Sequence, residues 1–264
     1  MKIGFIGCGN MAGAMLSGIL DQGTYKADDI IAADVYKPSR ENAKEKFGIA
    51  VTESNKEVVE KAEVVVLSIK PQFCETVIKE ISDSVREGQL FITIIPGKTL
   101  AWLESTFGKK VKIVRTMPNT PAIVKEGMTA ACGNDLVTEE DMKKAMDILN
   151  GFGKAEVVPE NLIDIVTGVS GSSPAYIFVL IEAMADAGVS GGMPRDKAYK
   201  FAAQAVLGSA KLVLESGKHP GELKDMVCSP GGTTIGGIRV LEDKGFRSAI
   251  FEAFLESTRI AKQL

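Results

Sequence analysis

Short apolar runs alternate with amphipathic stretches through the first half of this 264-residue chain. Runs such as Val64-Val65-Val66-Leu67-Ser68-Ile69 are apolar at successive positions, which is typical of strands buried on both faces of a parallel sheet. Six such strands are predicted, at residues 2–6, 30–34, 64–69, 90–95, 111–116 and 128–132. Helices with one apolar stripe are predicted between most of these strands, at residues 13–21, 38–46, 55–61, 72–85 and 99–106.

This alternation predicts an α/β fold built on a doubly wound, mainly parallel sheet. A helix at 139–150 and a short strand at 155–158 are expected to complete a first domain at residues 1–159. From about residue 160 the strand pattern stops, and residues 160–264 are predicted to form an all-α domain.

Proline and glycine residues mark where the helices of the second half begin and end. Proline is favoured in the first turn of a helix, and glycine is favoured just past its end. Pro174, Pro194 and Pro220 each precede an apolar periodic stretch, and Gly217 and Gly245 each follow one. Five helices are therefore predicted, one from Pro174 that ends at Gly188 or Gly191, one at 194–216, a short one from 220, one at about 232–243 and one at 246–263.

The helix at 194–216 is apolar around most of its girth. Its small and apolar residues are Phe201, Ala202, Ala205, Val206, Leu207, Ser209, Ala210, Leu212 and Val213. A helix of this kind must be covered on several sides. We therefore expect a subunit interface, with a twofold homodimer as the simplest arrangement. A deep core within one chain is the alternative.

Charge and hydropathy argue against two classes of partner. The net charge is −3 and like charges do not cluster, so neither a nucleic-acid-binding nor a membrane-binding surface is expected. The longest apolar stretch, Ala175–Val189, contains Glu182 and Asp186 and is too short to span a bilayer. Met1 leads directly into the first strand, so no leader segment is expected.

The four cysteines are scattered, without a C-x-x-C pair, at Cys8, Cys74, Cys132 and Cys228. They are expected to be free thiols in a reducing compartment, which favours a cytoplasmic protein without a metal site. The single histidine, His219, precedes Pro220 and is expected to serve a helix entry rather than catalysis.

The strongest chemical signal lies in the opening segment, Lys2 to Ala12. Gly7, Gly9 and Ala12 follow the first strand with G-x-G-x-x-A spacing, which is typical of a dinucleotide-binding turn. Gly7 permits the tight turn, Gly9 lets the backbone approach a pyrophosphate, and Ala12 lets the helix pack closely. The N-terminus of that helix favours the diphosphate charge. Asp34 ends the second strand, where an acid is expected to bind the ribose.

Three further turns are candidates for the nucleotide site, because ligands bind beyond the carboxyl ends of parallel strands. Ser68-Ile69-Lys70-Pro71 ends the third predicted strand, and Ile95-Pro96-Gly97 ends the fourth. Met117-Pro118-Asn119-Thr120-Pro121 follows the fifth and holds polar side chains between two prolines. For this last turn, a functional site and an ordinary turn are equally good interpretations.

Two small-residue segments of the second half are candidate substrate sites, at 169–176 and 228–235. The second, Cys228-Ser229-Pro230-Gly231-Gly232-Thr233-Thr234-Ile235, offers consecutive backbone N–H groups and two hydroxyls at the start of a helix. Such a turn suits a carboxylate, although Ser and Thr also cap helices without binding a ligand. Its adjacent glycines indicate a close backbone approach and favour a site.

The sequence shows no Ser-His-Asp set, no metal-ligand cluster and no pair of clustered acids. Reduction of a ketone normally needs a proton donor for the developing alkoxide. A protonated imine carries its own positive charge and needs only a hydride. Hydroxyls and backbone amides without an evident acid therefore favour reduction of a C=N bond.

These motifs resemble those of the pyrroline-5-carboxylate reductase family across essentially the whole chain. The resemblance rests on Gly4–Met11, Lys70-Pro71, Met117–Pro121, Gly168–Tyr176, His219–Asp225 and Ser229–Ile235. It implies a Rossmann domain followed by an all-α dimerisation domain, with intertwined dimers that form decamers in some members. It also implies reduction of 1-pyrroline-5-carboxylate to L-proline by NADPH or NADH, the last step of proline biosynthesis.

The resemblance further implies the residues of the site. The substrate is expected at Glu160, Ser229, Gly231, Gly232, Thr233 and Thr234, with backbone groups on its carboxylate and the Thr234 hydroxyl on its ring nitrogen as the catalytic contact. The dinucleotide is expected at Ile6, Gly7, Cys8, Gly9, Asn10, Met11, Asn55, Ile69 and Lys70. The position of strand ends adds Asp34, Ser68, Pro96 and Asn119 to this cofactor set.

Asp34 bears on the choice of cofactor. A carboxylate there accepts a hydrogen bond from the 2′-OH of NADH and repels the 2′-phosphate of NADPH. Lys37 and Arg40 are close enough in sequence to screen or clamp that phosphate. We expect both cofactors to be used, with NADH used better than is usual in the family.

Two other functions stay open from the sequence. A relative of the β-hydroxyacid dehydrogenases would share a two-domain plan and would need a catalytic lysine, for which Lys211 is the candidate. A dinucleotide sensor would bind the cofactor without turnover.

Overall fold

A computed structural model describes residues 1–263 and contains one eight-stranded sheet. In chain order, the strands are β1 (Ile3–Ile6), β2 (Ile30–Ala33), β3 (Ala50–Thr52), β4 (Val64–Leu67), β5 (Leu90–Thr93), β6 (Lys112–Met117), β7 (Gly127–Gly133) and β8 (Gly153–Val157). Their spatial order is β3-β2-β1-β4-β5-β6-β7-β8. The first six are parallel, which is the doubly wound Rossmann arrangement predicted from the sequence.

Two strands differ from the sequence prediction. The strand predicted at 128–132 runs antiparallel to β6, while β8 is parallel to β7. The mainly parallel sheet is therefore confirmed with one reversal near its edge. The three-residue β3 was not predicted, because only three partly exposed residues form it and no apolar run marks it.

Helices cover both faces of the sheet. They are α1 (Asn10–Asp21), α2 (Lys37–Phe47), α3 (Asn55–Lys61), α4 (Cys74–Ile81), α5 (Leu100–Phe107), α6 (Glu139–Leu149) and α7 (Ile163–Val166). Side chains of α1 and α6 pack on one face, and those of α3, α4 and α5 pack on the other. On that second face, the Phe91 and Phe107 rings meet edge to face at 5.0 Å. The sheet thus lies between two apolar layers with its strand ends open to ligands.

The second half is helical, as predicted. Its helices are α8 (Ser173–Ser190), α9 (Arg195–Ser216), α10 (Pro220–Val227), α11 (Thr233–Asp243) and α12 (Phe246–Ala261). Gly217 ends α9 in the left-handed conformation, at φ +64°. The His219 side chain caps α10 by accepting a hydrogen bond from Gly221 N at 3.0 Å, so its predicted helix-entry role is confirmed.

The segment before α8 corrects another expectation. Residues predicted as a small-residue loop from 169 lie partly in a π-helical turn, Thr167–Gly171. A Cβ at Gly171 would lie 2.9 Å from Met117 Cε, the end of a flexible side chain that would have to shift. π-helical turns are rare in proteins, and those that occur often lie at functional sites.

The chain divides into two compact units. The first comprises Met1–Ser172 together with the end of the chain from Ser257, and the second comprises Ser173–Glu256. Within the second unit, α8 and α9 pack together through buried alanines at 185, 198 and 202. Large apolar side chains of the same unit are exposed, among them Phe178, Phe201, Leu207, Leu214 and Phe251.

One helical stretch among the described residues, Glu160–Ser190, is long and apolar enough to cross a membrane by length and composition alone. Its mean hydropathy is 1.3 and 11% of its apolar window is buried. The sequence prediction considered only 175–189, and the helical residues before Pro174 lengthen the run.

Candidate dinucleotide and substrate sites

The turn between β1 and α1 has the geometry expected for a dinucleotide-binding loop. Gly7 lies at φ +101°, and a Cβ added there would lie 2.4 Å from the Ser68 carbonyl oxygen. The Ser68 hydroxyl donates to the Gly7 carbonyl oxygen at 2.8 Å and fixes the turn against the end of β4. At Gly9, no described atom lies within 4 Å of an added Cβ. The backbone at Gly9 is therefore open to a phosphate, as predicted for this spacing.

Asp34 fastens the same loop. Its Oδ2 accepts a hydrogen bond from Cys8 N at 2.8 Å, and its Oδ1 accepts one from Tyr36 N at 2.8 Å. Each carboxylate oxygen has lone pairs left, so the side chain can still accept a bond from a ribose hydroxyl. Asp34 therefore joins the end of β2 to the glycine turn, a role that the sequence did not reveal.

A cavity of about 640 Å³ opens beside this turn. Eight of the predicted cofactor residues line it, namely Ile6, Gly7, Gly9, Asp34, Asn55, Ser68, Ile69 and Lys70. Further lining residues were not predicted, namely Val35, Tyr36, Ser39, Phe73, Thr76, Val77 and Glu80. Val35, Phe73 and Val77 give the cavity an apolar wall that suits the flat face of a nucleobase. Phe73 is half-exposed in the structure. In the sequence, this aromatic residue just after Lys70-Pro71 could have indicated the apolar wall.

Three other predicted cofactor residues lie around the first turn of α1. Cys8 and Asn10 line a neighbouring cavity of about 200 Å³ that shares Gly9, and Met11 packs against the core. Burial raises the pKa of the Cys8 thiol to about 12, with a further contribution from the Asp34 carboxylate. The thiol stays neutral at physiological pH, so Cys8 contributes its backbone N–H to the loop rather than a reactive sulfur.

Pro96 and Asn119 do not line the 640 Å³ cavity. Asn119 is buried, and its side chain donates to the Ser170 carbonyl oxygen at 3.0 Å and accepts from Met128 N at 2.8 Å. This residue ties the loop after β6 to the π-turn. Its cofactor role stays a prediction, and the bonds seen here give it a structural function.

Glu160 belongs to an ion-pair cluster around a buried arginine. Arg115, whose side chain is 2% exposed, contacts Glu160 Oε1 at 3.1 Å and Asp164 Oδ1 at 2.7 Å. Glu160 Oε1 also accepts from Leu100 N, the first residue of α5, at 2.6 Å. The cluster therefore joins β6, the start of α5, and α7 with the turn before it. A substrate contact by Glu160 stays a prediction beside this structural role.

Substituting Arg115 with methionine is expected to lower the free energy of unfolding by roughly 3 kcal/mol, because two carboxylates would lose their buried cation. The value lies at the low end of the range for broken buried pairs because Glu160 and Asp164 keep some solvent contact. Urea unfolding followed by circular dichroism measures it. Adding Glu160→Gln and Asp164→Asn should restore part of the loss, and an unchanged unfolding midpoint in Arg115→Met would contradict the assignment.

The candidate substrate turn lies in the second unit. Gly231 adopts φ +66°, and Gly232 N donates to the Ser229 carbonyl oxygen at 3.0 Å. No described side chain caps the N-terminus of α11, which begins at Thr233. Thr234 is half-buried in the first turn of that helix. No side-chain capping of α11 is therefore seen among the described residues, and the binding of a carboxylate at this turn stays a prediction.

Lys211, the residue on which the alternative dehydrogenase mechanism depends, lies on the surface of α9. Its amine pairs with Glu215 Oε1 at 3.5 Å, and both side chains are 67% exposed. Nothing in this environment sets it apart from an ordinary surface lysine.

Comparison with known proteins supports one family. Residues 160–264 match the family model described as pyrroline-5-carboxylate reductase dimerisation, and residues 2–97 match one described as NADP oxidoreductase, coenzyme F420-dependent. The pyrroline-5-carboxylate reductase of Escherichia coli is 51% identical over 100% of this chain and 98% of its own length. The enzyme of the same name from Methanosarcina acetivorans is 43% identical over 100% of this chain and 97% of its own.

Solved structures agree with these sequence relatives. A pyrroline-5-carboxylate reductase from Coxiella burnetii has a TM-score of 0.92 at 34% identity, covering 99% of this chain and 97% of that one. The Plasmodium falciparum pyrroline carboxylate reductase with NADP bound has a TM-score of 0.91 at 31% identity, covering 100% of this chain and 97% of that one. With the glycine turn, the cavity and the helical second half in place, the chain belongs to the pyrroline-5-carboxylate reductase family.

Proposed function

We propose that this protein reduces the C=N bond of 1-pyrroline-5-carboxylate to give L-proline, with NADH or NADPH as the reductant. The observation that carries the proposal is full-length similarity to reductases of this name, at up to 51% identity among the relatives reported. The glycine turn and its cavity support the cofactor half of the proposal. The uncapped start of α11 supports the substrate half.

The residues present suit hydride transfer to a protonated imine. When bound, the reduced nicotinamide supplies a hydride for the imine carbon, and the ring nitrogen becomes the amine of proline. Backbone N–H groups from Ser229 to Thr234 would hold the substrate carboxylate. The Thr234 hydroxyl would bond the ring nitrogen and orient the imine. Since the imine is already protonated, these residues need to position it rather than protonate it.

Thr234→Ala is expected to lower kcat/KM for pyrroline-5-carboxylate about 10- to 100-fold, the effect of losing one hydrogen bond to a polar group of the substrate. The dissociation constant for NADH should stay within about twofold of wild type. Thr234→Ser keeps the hydroxyl and serves as the matched control. An unchanged kcat/KM in Thr234→Ala would remove this residue from the substrate site.

We propose that residues 160–264 pair two chains into a twofold dimer, while residues 1–159 bind the cofactor. Large apolar side chains on α8, α9 and α12 are exposed in the single chain, among them Phe178, Phe201 and Phe251. A partner chain would cover these helices, including the stretch Glu160–Ser190. Assembly into decamers stays a prediction from the family resemblance.

We also propose a cytoplasmic location, which the four free thiols support. The function is tested by following NADH and NADPH absorbance at 340 nm with the purified protein and racemic pyrroline-5-carboxylate. Substrate-dependent oxidation of either cofactor supports the reductase. Cofactor binding without oxidation would instead identify a dinucleotide sensor.

A further inference from the structure

We infer that Glu80 is a specificity-determining residue that weakens the binding of NADPH relative to that of NADH. The inference rests on the proposed dinucleotide function of the 640 Å³ cavity. Glu80 lies in α4, far in sequence from the glycine turn and from Asp34, yet it lines the same cavity. Glu80 acts on cofactor binding in two ways. Its charge repels a phosphate, and its hydrogen bond orients the amide of Asn55.

Glu80 fixes the orientation of the Asn55 amide. Asn55 is buried at the start of α3, and its Nδ2 donates to Glu80 Oε2 at 3.0 Å. An ionised carboxylate only accepts hydrogen bonds, so the amide nitrogen must face Glu80. The carbonyl oxygen of Asn55, an acceptor, is then the group left for a ligand. A ribose hydroxyl can donate to that oxygen, whereas a phosphate has only acceptors to offer.

The charges that line the cavity also disfavour a 2′-phosphate. Among the described residues that line it, Asp34 and Glu80 are acidic and Lys70 is basic. A phosphate monoester carries nearly two negative charges at neutral pH. Placing one near two carboxylates is unfavourable, and the exposed Lys70 offsets only part of that repulsion.

Neither of the two cations that could clamp a 2′-phosphate, Lys37 and Arg40, lines the cavity, and Arg40 is held by other groups. The Arg40 guanidinium, only 15% exposed, donates to the carbonyl oxygens of Asp34 at 2.5 Å and Val35 at 3.2 Å and pairs with Glu53 at 3.4 Å. Lys37 lies outside the cavity lining and pairs with Glu41 at 3.6 Å, with its side chain 74% exposed. Arg40 therefore braces the backbone after β2 instead of reaching toward a ligand.

The test measures dissociation constants for NADH and NADPH by fluorescence titration, without pyrroline substrate. Wild type should bind NADH more tightly. Glu80→Gln, which removes the charge, should strengthen NADPH binding roughly 3- to 10-fold relative to NADH, in keeping with one partly screened interaction. Glu75→Gln is the matched control, because it removes a carboxylate from the same helix that pairs with Lys79 outside the cavity. The ratio of its NADPH and NADH dissociation constants should equal that of wild type.

An Asn55→Ala background separates orientation from charge. If Glu80 acts partly through the amide, Glu80→Gln should shift the ratio less in Asn55→Ala than in wild type, and an undiminished shift would overturn that part of the inference. The inference as a whole would be overturned if Glu80→Gln bound both cofactors with the same ratio of dissociation constants as wild type. Failure of wild type to bind either cofactor would instead contradict the proposed function.

Discussion

Gly7→Ala should raise the dissociation constant for NADH at least about 30-fold, because the turn that receives the diphosphate cannot form with a side chain there. Gly7 lies at φ +101°, and a methyl group would lie 2.4 Å from the Ser68 carbonyl oxygen, well inside contact distance. Either Ser68 moves away from the turn or the turn opens. Both changes break the bond between the Ser68 hydroxyl and the Gly7 carbonyl oxygen. Fluorescence titration with NADH measures the loss.

Gly13→Ala is the control for this substitution. Gly13 lies inside α1, and no described atom lies within 4 Å of an added Cβ. Alanine in a helix interior is more favourable than glycine by about 0.5–1 kcal/mol, so this variant should bind NADH like wild type and melt no lower. Circular dichroism shows whether Gly7→Ala is folded. It therefore separates a blocked cofactor site from an unfolded protein. NADH affinity equal to wild type in a folded Gly7→Ala would remove the glycine turn from the cofactor site.

Phe201→Glu should convert the proposed dimer into a monomer at micromolar concentration. The Phe201 ring on α9 is 67% exposed in the single chain, and burying such a ring is worth about 1.5–3 kcal/mol. A twofold interface contains the substituted residue twice, once from each chain. Each copy also places a charged carboxylate in an apolar surface. Sedimentation velocity at several concentrations measures the effect.

Lys200→Glu is the matched control, because it places the same side chain on the neighbouring, exposed position of α9. We expect it to sediment as wild type does. A Phe201→Glu variant that stays dimeric with an unchanged dissociation constant would show that this part of α9 lies outside the interface. A monomeric wild type would contradict the dimer altogether.

Local chemistry made much of the fold predictable. Most strands were predictable from their apolar runs, and the glycine turn was predictable from its G-x-G-x-x-A spacing together with the strand before it and the helix after it. The helix ends at Gly217 and His219 were predictable for the same reason, because capping is a property of a few adjacent residues. These features depend on neighbours in sequence, which is why the sequence displays them.

Features that depend on distant residues were not predictable. Asp34 looked like a ribose-binding acid, and its bond to Cys8 N exists only once β1 and β2 are paired. Glu80 looks like any solvent-facing carboxylate of an amphipathic helix until α3 and α4 pack together. Arg115 did leave a signal, since a charge within the apolar strand Ile113-Val114-Arg115 demands a buried partner, but the sequence could not say that Glu160 and Asp164 supply it.

The central claim is that this chain transfers a hydride from a bound dinucleotide to the carbon of a cyclic imine. The most direct measurement uses NADH deuterated at C4 of the nicotinamide on the transferred face, with pyrroline-5-carboxylate as the acceptor and mass spectrometry of the product. We predict L-proline with one deuterium at the former imine carbon. NADH oxidation that yields unlabelled proline, or no proline, would contradict the assignment.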